Sequence, residues 1–176
     1  ERVLQSLLLD SDWSDTASNA RKEPFPRRIS TEATAKIWEE CSENLEEKLA
    51  GFRRAKEVQS SLNRYRQEIA DQCKEAAESE CSLYRLTVPT GAGKTLSSLR
   101  FALNHAKTYG KRHIIYVAPY NSILEQNAEV IREALGNAGV VLEHHCNVVI
   151  EDEKENADHQ RLTENWDSPI IVTTAV

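Results

Sequence analysis

The sequence predicts an α/β protein, a P-loop on a parallel, doubly wound sheet with a helical region ahead of it. Three observations carry this prediction. From residue 83 onward, short apolar runs rich in β-formers alternate with segments whose apolar residues recur at helical spacing. A glycine-rich turn ending in Lys94-Thr95 stands directly between the first such run and the first such helix. Residues 31 to 78, by contrast, hold helical stripes only. Strands that alternate with crossover helices pair in parallel, and right-handed crossovers bring the loops after the strands to one edge.

The elements follow in order. Val3, Leu4, Leu7 and Leu8 share one face over residues 2 to 12, the end of a helix, with Asp10-Ser-Asp-Trp-Ser-Asp15 following as a polar turn. Pro24, Pro26 and four basic residues mark 19 to 29 as a linker. Ser30 or Thr31 caps a helix striped by Trp38, Cys41, Leu45, Leu49 and Phe52. A second stripe, Val58, Leu62, Tyr65, Ile69 and Cys73, continues that helix or packs beside it. Leu83 to Val88 reads as a buried strand. Leu96, Leu99, Leu103 and Ala106 stripe the helix after the loop, which Gly110 ends. His113 to Ala118 is the next strand. Ser122 and Glu125 have capping-box spacing for a helix striped by Leu124, Ala128, Ile131 and Leu135, closed by Gly136. Val140 to Leu142 and Pro169 to Thr173 complete the strands, with a polar loop or short helix over 151 to 165.

Composition narrows the function classes. At 176 residues the chain is long enough for a real core. No apolar run approaches the length of a membrane span, and the first residues lack the basic and small-residue features of a signal peptide. The four cysteines, Cys41, Cys73, Cys81 and Cys146, include no Cys-x-x-Cys pair, so they read as reduced cytoplasmic thiols rather than a zinc site. A net charge of −6 is the wrong sign for a histone-like DNA binder, but allows a motor that grips a strand in a local groove.

The chemistry concentrates at Val88-Pro-Thr-Gly-Ala-Gly-Lys-Thr95. Gly91 and Gly93 let the backbone wrap a phosphate, and the amides from Gly91 to Leu96 are expected to converge on it. The helix starting near Lys94 adds its positive end. Pro89, Thr90, Gly91, Ala92, Gly93, Lys94, Thr95 and Leu96 therefore form the expected ATP-phosphate site. Lys94 reaches the β- and γ-phosphates, and the Thr95 hydroxyl holds Mg²⁺. On the same edge, Asn121 and Ser122 stand at a helix start that suits a nucleic-acid phosphate, and Ser122 serves equally well as an ordinary cap. Thr173 and Thr174 offer hydroxyls at a strand end, a pattern that favours local caps over DNA contacts.

Several stretches together carry a family likeness. Asn63 to Ile69, Tyr84 to Leu99, Ile114 to Asn127, Leu142 to Asn147 and Ile171 to Thr174 lie in the order and spacing that resemble the CRISPR-associated helicase–nuclease of type I interference systems. The resemblance spans residues 60 to 176. It implies the first, RecA-like lobe of a superfamily 2 helicase fused to an HD metal-dependent nuclease, with single-stranded DNA and a guide-RNA surveillance complex as partners. Residues 1–18 would end the HD domain, 19–30 link it, 31–80 lead into the motor, and 81–176 begin the helicase lobe. Asp12 falls on that family's last metal-binding aspartate, or simply joins a turn. Arg66 or Gln67 falls where related helicases place a glutamine that reads adenine. His144 and His145 lie in a family-like stretch with no assigned chemistry, and as sequence neighbours on a strand they diverge.

Three other readings share these motifs: another superfamily 2 motor such as a restriction-system translocase, a nucleotide-binding adaptor without motor activity, and a small-molecule kinase. In the resembling motors, an Asp-Glu motif follows the Thr-Thr strand, and this sequence stops at Val176. The 176 residues alone are therefore expected to bind nucleotide and not to hydrolyse it. Phosphate release stimulated by single-stranded DNA and abolished in Lys94→Ala would show the piece to be catalytically complete.

Overall fold

The computed structural model describes residues 2–21, 29–54, 61–145, 162–163 and 166–175. Val58, the 22–28 part of the linker, Cys146 and the 151–161 part of the polar run lie outside the described residues. The elements are α1 (Arg2–Arg21), α2 (Thr31–Arg54), α3 (Ser61–Ala76), α4 (Lys94–Thr108), β1 (Ile114–Ala118), α5 (Asn121–Leu135), a 3₁₀ turn (Ala138–Val140), β2 (Val141–His144) and β3 (Ile170–Thr174). No helix among the described residues is long and apolar enough to cross a membrane.

The sheet is parallel, in the order β1-β3-β2. Ala118 stands opposite Thr174, and Thr173 lies between Val117 and His144, so the carboxyl ends of all three strands finish level. The central strand β3 is the most deeply buried, as a strand covered on both faces should be. Leu99, Leu103 and Ala106 of α4 and Leu124, Ala128 and Ile131 of α5 join its Ile170 and Val172 in one core.

Helix α2 belongs to that same core. Its Trp38, Cys41 and Leu45 are almost fully buried among α4 and α5 residues. Its polar side chains also answer orphan carbonyls at the ends of the helices it covers. Trp38 Nε1 donates to Lys111 O at 2.7 Å, just past α4, and Asn44 Nδ2 donates to Leu135 O at 2.7 Å, the last residue of α5. Burial, with the charge of Glu40 alongside, pushes the Cys41 thiol up to about 11, so it packs as an inert group at neutral pH. Ser30, not Thr31, is the cap of α2: its hydroxyl accepts the Ala33 N–H at 3.2 Å.

Three expectations change. Leu83 to Val88 forms no strand, and Leu83 and Leu86 are exposed. An extended segment needs a neighbouring backbone for its N–H and C=O groups. Among the described residues β1 and β2 pair only with β3, so this apolar run has no ladder to join. Helix α1 runs through Asp10–Asp15 to Arg21, because no glycine or proline interrupts it before Pro24. In α3, Ile69 and Cys73 are buried while Leu62 and Tyr65 are exposed, so only the second half of that stripe packs.

One polar cluster ties the helices together. Arg100 of α4, with its side chain 4% exposed, donates from Nε and Nη2 to the two Glu46 oxygens of α2, each at 2.7 Å. Its Nη1 donates to Asp71 Oδ1 of α3 at 2.6 Å. Arg53 adds a second cation to Asp71, and Lys74 one to Glu46. Burial pulls both carboxyls up, but the guanidinium bonds and charges outweigh it and hold both below their ordinary range.

Replacing Arg100 by Met keeps the packing volume and leaves two facing carboxylates without their shared cation. Because both are partly exposed, the cost is expected to be about 1 to 3 kcal/mol by urea unfolding. Carboxyls lowered on folding add stability above their unfolded pKa of about 4, and that stability is lost as pH falls through the folded values. The wild-type urea midpoint should therefore drop on acidification below pH about 4, and the Arg100→Met midpoint should drop less.

Candidate nucleotide-phosphate site

The loop from Pro89 to Gly93 owes its shape to two glycines. Gly91 and Gly93 both sit at φ 82°, a left-handed conformation that side chains disfavour. Between them the Ala92 methyl is buried against Ile69 and Cys73 of α3, which seats the loop on that helix. The Ala92 N–H turns away to donate to Pro89 O at 3.3 Å. The expected convergence of every amide therefore has an exception at Ala92.

Helix α4 then begins at Lys94 with Gly93 as its N-cap, and no side chain caps it. The first-turn amides of a helix lack intrahelical acceptors, so those of Lys94, Thr95 and Leu96 are left for an external one. A Cβ built on Gly91 would meet nothing within 4 Å, so there is open space at the turn. Lys94 is exposed and has no ion-pair partner among the described residues. Open space, uncapped amides, a helix dipole and a free ammonium together suit a polyphosphate.

Arg66 of α3 reaches this loop from behind. Its Nε and Nη2 both donate to Gly91 O, at 2.9 and 2.6 Å, and Nη1 donates to Asn63 Oδ1 at 3.1 Å. Its stem lies against Gly93, where an added Cβ would stand 3.6 Å from Arg66 Cγ. Arg66 thus grips loop backbone, and both it and its neighbour Gln67 line a cleft. That cleft, about 400 Å³, runs from the loop between α2 and α3 and is mostly apolar, with Phe52, Asn63, Gln67, Ala70 and Leu96 in its walls.

On the other side, the Thr95 hydroxyl donates to Asn127 Oδ1 of α5 at 3.0 Å, and Ser98 Oγ lies 3.1 Å from the Tyr116 hydroxyl of β1. The sequence assigned no role at this site to Asn63, Phe52 or Asn127. The stripe that contains Phe52 reads as core, and an asparagine on a helix carries no signal until its partner is known.

The remaining candidates scatter along the level strand ends. Asn121 and Ser122 open α5, half-buried and exposed respectively. The Ser122–Glu125 capping box does not form: Tyr120 is the N-cap, its carbonyl accepting the Leu124 N–H at 3.0 Å, which places Ser122 inside the first turn. The Thr173 hydroxyl is engaged, donating to His144 O at 2.8 Å, while Thr174 is half-exposed at the edge. His144 accepts from the Trp166 indole at 2.7 Å, whereas His145 is buried against Glu143, itself paired with Arg132. Asp12 is exposed in the middle of α1, and no group of three metal-capable side chains gathers among the described residues.

A phosphate loop between α3 and α4, fronting a parallel sheet whose strand ends finish at one edge, defines a P-loop α/β protein. Residues 59–175 match the family described as type III restriction enzyme, res subunit. The match covers well over half of the chain, so the protein belongs to that family, one of the helicase-like group. It is thus a helicase-like, nucleotide-using protein carrying part of a RecA-like lobe. No curated protein matches its sequence.

Gly93→Ala is expected to cost about 1 to 2 kcal/mol for a left-handed alanine, measured by urea unfolding. The same substitution at Gly91, where φ is the same and the space is open, should cost a similar amount.

Proposed function

We propose that this chain is the nucleotide-gripping part of an ATP-driven nucleic-acid motor. The observation that carries the reading is the uncapped start of α4 beside two left-handed glycines, in a chain of a helicase-like family. Residues Pro89 to Leu96 hold the phosphates, with Lys94 supplying the mobile positive charge. The Thr95 hydroxyl is the protein ligand for Mg²⁺, which when bound neutralises charge between the phosphates. The cleft beside the loop suits an adenine: Phe52 offers a ring face, and the Gln67 and Asn63 amides offer donors and acceptors to the base edge.

The nucleic-acid partner is a single strand, laid across the carboxyl edge at Asn121, Ser122 and Thr174. Helix-start amides favour its phosphates there, and the overall negative charge confines contact to that groove. Within the motor class, the ordered motif stretches favour the CRISPR type, recruited by a guide-RNA complex and joined to an HD nuclease to which Asp12 would belong. The family match favours a restriction-system translocase as the second reading. Binding to DNA opened by a guide-RNA complex, against binding to intact duplex, separates the two.

The test of the shared reading is equilibrium binding of a fluorescent ATP analogue to the 176-residue chain. Lys94→Ala should weaken binding by about tenfold or more, the scale of one charge-assisted phosphate contact. Equal binding by the variant, or none by the wild type, would overturn the assignment.

A further inference from the structure

The half-buried pair Thr95–Asn127 joins the start of α4 to the middle of α5. A threonine hydroxyl has one proton and two lone pairs. Its direction is free unless something takes the proton. Asn127 Oδ1 takes it at 3.0 Å, so the lone pairs point away from α5. The hydroxyl that would meet a cation is thereby aimed before the cation arrives. The nearby Ser98 hydroxyl turns instead to Thr95 O and the Tyr116 hydroxyl.

We infer that Asn127 is a positioning residue: by accepting the Thr95 proton it presets that oxygen as a ligand for the magnesium of a bound Mg–nucleotide. The inference rests on the phosphate reading of the loop. It assigns Asn127 no contact with the nucleotide. Outer partners that orient a ligand commonly change metal affinity by about 10- to 100-fold when removed. A single neutral hydrogen bond lies at the low end of that range. The bond also makes α5, whose first turn lies at the proposed nucleic-acid edge, a direct neighbour of the phosphate site.

The separating feature is magnesium. Loop amides and Lys94 hold phosphate with or without the metal, whereas Thr95 acts through it. Binding of a fluorescent ADP analogue to the full chain is measured with excess Mg²⁺ and with EDTA. In Asn127→Ala, affinity should fall about three- to tenfold with Mg²⁺ and stay unchanged with EDTA. Thr95→Ala should show the same pattern, and the double variant should lose no more than either single one. Asn127→Asp, which keeps an acceptor oxygen of the same reach, should retain the magnesium dependence of the wild type. Circular dichroism and urea midpoints establish that each variant is folded.

Equal losses with and without Mg²⁺ in folded Asn127→Ala would make the residue structural only and overturn the inference. No loss in either condition, or additive losses in the double variant, would overturn it too, with the phosphate reading intact. A wild type that binds nothing, or a Lys94→Ala variant that binds as well as wild type, would instead remove the phosphate reading itself.

Discussion

A guanidinium buried where three helices meet has to be answered there, and Arg100 is answered by Glu46 of α2 and Asp71 of α3. An unpaired charge at that depth is costly, so the three helices hold one arrangement or lose it together. Arg100 sits on the helix that begins at the phosphate loop. The helices ahead of the loop are therefore fastened to the element whose start creates the site. The apolar half of the same contact, Trp38 and Leu45 against Leu99 and Leu103, supplies burial, and the ion cluster supplies direction.

With α4 held, the loop is gripped from two sides. Behind it, Arg66 binds the Gly91 carbonyl and packs on Gly93, so the left-handed turn is fixed through a side chain of α3. Ala92 is seated on α3 as well. In front, Asn127 of α5 binds the Thr95 hydroxyl. The start of α4 keeps no side-chain cap, while the Ala92 N–H, the Gly91 carbonyl and the Thr95 hydroxyl are already engaged. This is preorganisation in the ordinary sense: the cost of shaping the site is met in folding and not at binding.

The sheet shows the opposite situation. Its central strand is buried on both faces, yet β1 leaves Ile115 and Val117 exposed, and the apolar segment over 83–88 stands unpaired. Strand-like composition and strand formation are different things. Composition reports a preference for burial on a pleated surface; formation needs a partner's backbone at hydrogen-bonding distance.

Near neighbours along the chain specify a good part of this protein. The stripes of α4 and α5, the glycines at 91, 93, 110 and 136, and the order of three strands and two helices were all readable, because helical and strand periods and left-handed turns depend on near neighbours. Lys94 and Thr95 were readable for the same reason, since their spacing from the glycines defines the loop. The capping box at Ser122 misled by two residues, because Tyr120 opens the helix first and spacing alone does not choose the cap. Long-range packing alone put Arg66 on the loop and Asn127 on Thr95, and left Leu83 to Val88 unpaired. Those outcomes join residues 25 and 32 positions apart, or hinge on which backbone lies alongside. No periodicity encodes them, because the partner is chosen by packing and not by the chain's own repeat.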